Sequence, residues 1–98
     1  MEDSVKKDYF ELLKFESVGA DPAKLRDCAA CASWLSKWLG AIGFGCTLEM
    51  PPVADGKAAP PVLFAERKGD EGTPTLLLYG HYDVQPADPV SEWRTPPF

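Results

Sequence analysis

The stretch that most constrains this chain is Leu76-Leu77-Leu78-Tyr79, an apolar run that ends at Gly80 and is followed at once by the only histidine, His81. Consecutive large apolar residues without alternation predict a strand buried on both faces, as in parallel sheets covered by helices. Open α/β sheets bind ligands just beyond the carboxyl ends of their strands, so His81 stands where chemistry is expected. Asp83 follows two residues later, and in an extended chain both side chains project to the same side. A carboxylate so placed can accept an imidazole N–H and fix the tautomer, leaving the other ring nitrogen free to bind a metal. His81 and Asp83 are therefore half of a metal site. The structural alternative is a strand-end histidine held by a nearby carboxylate, because His-x-Asp is a common spacing by chance.

The rest of the chain reads as support for that strand. Val5, Tyr9, Leu12 and Leu13 share a stripe and predict a helix over about Ser4 to Phe15. Ser17 to Ala20 is a loop broken at Gly19. Asp21-Pro22 predicts the start of a second helix, with a side-chain acceptor at the cap and proline at the first helical position. That helix should run to about Leu39 and close at Gly40. Its seam is Leu25, Cys28, Ala32, Leu35 and Leu39, widened by Cys31, Trp34 and Trp38, with Arg26 and Lys37 opposite. A face this wide needs a cover, and part of that cover is expected to be missing.

Strands are predicted at Cys46 to Met50, Val62 to Arg67 and Thr75 to Tyr79, the last two pairing antiparallel across the Lys68 to Thr73 turn. Pro51 to Pro60 and Gln85 to Phe98 read as loops. No internal repeat or low-complexity tract is present.

Length and composition narrow the classes. Ninety-eight residues make at most one small domain, burying roughly 60–65% of its unfolded surface. A formal charge of −5 argues against nucleic acid or an anionic membrane as partner. An odd cysteine count and a charged amino terminus argue for a reducing, cytoplasmic setting. Cys28 to Cys46 is the nearest thing to a membrane span, but its glycines, its serines and the central Lys37 speak against one. Cys28-x-x-Cys31 lies within a helix and has no second pair, so buried small hydrophobes are a better reading than a redox or zinc motif. Asp88 and Glu92 read as solvated surface. Trp93 either walls a pocket or covers the core. No serine or cysteine is set up as a nucleophile.

The segment Gly80-His81-Tyr82-Asp83-Val84-Gln85-Pro86 resembles the motif of the dizinc metallopeptidases that include carnosinase-type dipeptidases, aminoacylase, acetylornithine deacetylase and succinyl-diaminopimelate desuccinylase. It is most similar to the dipeptidase branch. Ser91-Glu92-Trp93 and Pro97-Phe98 resemble the family's next stretch, and the amino-terminal order of helices and strands resembles it too. The resemblance implies an α/β fold, a partial three-layer sandwich of two helices and then about three strands, forming the amino-terminal part of a catalytic domain over residues 1–98. It implies that His81 is a ligand of one zinc ion and that Asp83 is the catalytic-site carboxylate orienting its imidazole. Further implications are a small peptide substrate, two zinc ions in the complete enzyme, and homodimerisation through a lid domain absent here.

The family's bridging aspartate, glutamate pair, further acidic ligand and last histidine would all fall after Phe98. A truncated and inactive piece of a metal-dependent hydrolase of peptide or amide bonds is thus the first expectation. Such a piece should self-associate or fold only marginally. The alternative is a short non-catalytic binding module that engages a partner through the apolar face of the second helix.

Overall fold

A computed structural model describes residues 2–98. Helix α1, Asp3–Leu12, ends three residues before its expected limit, with Leu13 closing the last turn through its backbone N–H. None of its residues is buried. It is tied to the rest by the Trp38 indole, which donates to Asp8 Oδ2 at 2.8 Å. Phe15 adds a contact with Trp34, the ring centroids 6.2 Å apart.

Asp21 caps the second helical segment as its sequence requires, its carboxylate accepting from Ala23 N at 2.9 Å. The first turn, Pro22–Lys24, is a tight 3-10 turn, and α2 proper is Leu25–Ala41. The helix passes through Gly40 and stops at Gly43, whose φ of +98° belongs to the left-handed region. Gly43 N bonds Gly40 O and Phe44 N bonds Leu39 O, the paired closure that a left-handed glycine permits. Gly40 was expected to close the helix but has no such φ. The expected seam is observed: Cys28, Cys31 and Ala32 are fully buried, while Arg26 and Lys37 face solvent.

Strands β1, Gly45–Glu49, and β2, Val62–Glu66, pair antiparallel with Cys46 opposite Ala65 and Leu48 opposite Leu63. Alternation therefore places Cys46, Leu63 and Ala65 on the better covered face, and α2 packs on both strands. The centre of that face, Cys28, Cys31 and Ala32, is covered within the chain, whereas Leu25, Leu35 and Leu39 of the same seam are only half-buried. This argues against its use as a free docking face, because its central residues have no surface left to offer.

The expected third strand does not form. Leu77 is 85% and Tyr79 94% exposed, and Thr75 to Tyr79 joins no ladder among the described residues. The Asp70 to Thr73 turn is present, with Thr73 N and Oγ1 both donating to Asp70 O. It does not fold the leucines back onto β2, whose observed partner is β1. A strand buried on both faces needs neighbours at its edges and layers above and below it. The molecule is only 19 Å thick along its shortest axis, room for one helix layer on one sheet. The described residues thus give α/β structure with two helices, two strands and two layers, rather than the expected three layers and three strands.

Candidate functional site

The His81 loop is organised by a segment that sequence reading treated as a plain connector. Ser17 and Val18, just after α1, are buried against α2. Ser17 Oγ donates to Tyr82 O at 2.8 Å, and Val84 N donates to Ser17 O at 2.9 Å. Val18 and Val84 form an isolated parallel bridge. The Tyr82 side chain reaches the other way, its hydroxyl donating to the carbonyl of Pro61 just before β2. Burial, with smaller effects from Cys28, Cys31 and Asp83, pushes the Tyr82 phenol up to about 12. Tyr82 is therefore neutral and a donor at physiological pH.

Tethered on both sides, the chain presents His81 and Asp83 outward. His81 Nδ1 lies 3.1 Å from Asp83 Oδ1 and 3.0 Å from Asp83 O. Both partners can only accept, the carboxylate when ionised, so both require the proton on Nδ1. In the neutral imidazole Nε2 is then unprotonated and its lone pair is free. The two side chains are 76% and 52% exposed, beside an open apolar groove of about 550 Å³ whose walls include Leu35, Leu63 and Leu78. As a donor set the pair fits one metal ligand and the carboxylate that orients it. It does not complete a centre. No group of three or more His, Cys, Asp or Glu able to hold a metal ion occurs among the described residues, and a catalytic zinc takes three protein ligands plus an open position.

The other candidates fall outside this site. Asp88 and Glu92 are exposed. Trp93 donates to Ala87 O at 2.8 Å and stays half exposed, bracing its own loop rather than walling the groove or covering the core. Cys28, Cys31 and Cys46 are free thiols. Burial raises Cys28 and Cys31, the nearby Asp83 adding to the first and the neighbouring Ser17 side chain opposing it in the second. Raised thiols are poor nucleophiles and poor metal ligands. No helix is long and apolar enough to cross a membrane among the described residues. Ser17 and Pro61 were missed as partners of the site. The only signal available was that a serine in a short loop can bond a distant backbone.

No family model matches the chain. It is similar to the Cys-Gly metallodipeptidase of Saccharomyces cerevisiae, 31% identical over 98% of this chain and 22% of that protein. The β-Ala-His dipeptidase of Mus musculus is 38% identical over 76% of this chain and 16% of that protein. The succinyl-diaminopimelate desuccinylase of Leptothrix cholodnii is 36% identical over 74% and 18%. The solved structure of the dipeptidase Dug1p from Saccharomyces cerevisiae superposes with a TM-score of 0.79 at 29% identity, over 96% of this chain and 22% of that one. The chain spans about a fifth of the length of these relatives. It belongs to the metallopeptidase family that holds these dipeptidases and desuccinylases.

Proposed function

We propose that residues 1–98 serve as the amino-terminal part of the catalytic domain of a cytoplasmic zinc-dependent hydrolase that cleaves dipeptides or similar amides. The observation that carries this reading is the contact of His81 Nδ1 with Asp83, which leaves Nε2 as a metal donor at the mouth of an apolar groove. In this reading His81 holds one of two zinc ions, and Asp83 keeps the imidazole in the correct tautomer and raises its basicity. When bound, a zinc pair supplies an acidified water and stabilises the charge that develops on the amide oxygen. The groove beside His81 takes apolar substrate surface, while Ser17 and Tyr82 hold the motif still. The remaining ligands, the general base and a lid domain that also dimerises belong to further chain.

The chain by itself then lacks the donors to hold a catalytic ion, and we expect no hydrolysis of Cys-Gly or β-Ala-His with added zinc. A longer protein carrying these residues should hydrolyse dipeptides and lose that activity with a chelator and with His81→Ala. Full activity after His81→Ala would contradict the assignment. Chelator-sensitive turnover by the 98-residue chain alone would overturn its expected inactivity.

A further inference from the structure

The backbone at Asp83 is held by a single residue. The Tyr82 carbonyl belongs to the peptide before Asp83, and the Val84 N–H belongs to the peptide after it. Ser17 bonds both, through its hydroxyl at 2.8 Å and its own carbonyl at 2.9 Å. Peptide groups are planar, so fixing the two that flank a Cα fixes its φ and ψ. The direction of the Asp83 Cα–Cβ bond follows from those two bonds, and from that bond the side chain brings Oδ1 to 3.1 Å from His81 Nδ1.

Ser17 is suited to this as few residues here are. It is 2% exposed, and Val18, Cys28, Cys31, Ala32 and Pro61 are the apolar residues buried beside it among those described. It therefore sits among the most buried of the described residues. A buried hydroxyl left without a partner is costly, and this one is committed to Tyr82 O.

We propose that Ser17 is a positioning residue that acts through Asp83 on His81. Its hydroxyl sets the orientation of the carboxylate, and the carboxylate sets the tautomer and direction of the imidazole. The proposal rests on the reading of His81 as a metal ligand only for its consequence in catalysis. The positioning itself can be measured without metal.

The test uses the longer protein that carries these residues, isotopically labelled, with Ser17→Ala and Ser17→Thr. Amide exchange is followed at Val84 and, as an internal reference, at the paired strands β1 and β2. The ring nitrogens of His81 are followed by their ¹⁵N shifts. In Ser17→Ala we expect Val84 exchange to rise about tenfold, with the strands unchanged, and the Nδ1–H share of His81 to fall. Ser17→Thr keeps a hydroxyl and should restore both signals. A uniform rise across the strands would make Ser17 merely structural and overturn the proposal. So would unchanged His81 shifts, or no protection at Val84 in the unsubstituted chain. A parallel zinc titration read at His81 separates the two ideas. Exchange and tautomer changes as expected, with no zinc-dependent shift even at saturating metal, would leave the positioning intact and count against His81 as a ligand.

Discussion

Replacing Asp83 by asparagine isolates the electrostatic part of the His81 contact, since the side chain keeps its size and loses its charge. A hydrogen bond to a charged group contributes about 1.5–3 kcal/mol when protected from water. His81 and Asp83 are largely open to solvent, and an exposed pair retains about 1 kcal/mol. That is about a fivefold change in the ratio of the two neutral imidazole tautomers. Asp83 O, 3.0 Å from Nδ1, remains as an acceptor in Asp83→Asn, so the preference for Nδ1–H should weaken rather than vanish. The assay is the pair of ring ¹⁵N shifts, recorded at about pH 8.5, well above the ordinary histidine range. The unsubstituted chain should show chiefly Nδ1–H, and Asp83→Asn should move the shifts toward Nε2–H by up to that factor. A chain that already carries its proton chiefly on Nε2 would refute the reasoning, because Asp83 would then not be holding the ring.

The remaining expectations concern the scaffold. Asp8→Ala and Trp38→Phe should each destabilise the chain, with a coupling of about 1 kcal/mol in a double-mutant cycle by urea unfolding; additivity would mean that the 2.8 Å contact does not tie α1 to α2. Gly43→Ala should cost about 1 kcal/mol because φ is +98° and an L-residue is strained there, whereas Gly40→Ala, inside α2, should be neutral or stabilising in the same melt. Alkylation should modify Cys46 first and spare Cys28 and Cys31 until the chain unfolds, since only the latter two are fully buried. Because folding raises the Cys28 and Cys31 thiols above their ordinary value, the neutral forms are favoured in the native state. Their contribution is complete below about pH 9 and is lost as pH rises through the native values; stability that increases with alkalinity would contradict it.

Local chemistry was legible in the sequence wherever near neighbours decide the outcome. Asp21 and Pro22 announced the start of a helix, the cysteine–alanine seam announced its buried face, and β1 and β2 lie where strands were expected at Cys46 to Met50 and Val62 to Arg67. Spacing alone placed Asp83 beside His81, because an extended backbone brings positions two apart to one side. Pairing was less legible. A short turn with two glycines suggested that β2 would pair with the leucine run, yet β2 pairs with β1 across the longer Pro51 to Pro60 loop. Double-faced burial at Leu76 to Leu78 needs surfaces that the described residues do not provide. The helix stop was displaced from Gly40 to Gly43 because both are glycines and only the backbone angle distinguishes them. Ser17 left no trace in the pattern at all, since its role depends on a partner 65 residues away.

The central claim is that His81 and Asp83 are one part of a metal centre whose other ligands lie in further chain. The most direct test is the intact mass of the protein carrying this sequence, purified from its native source. A mass several times the 10.7 kDa of these residues is expected, in keeping with relatives of which the chain spans about a fifth. A mass matching 10.7 kDa would contradict it, for the metal centre would then never be completed.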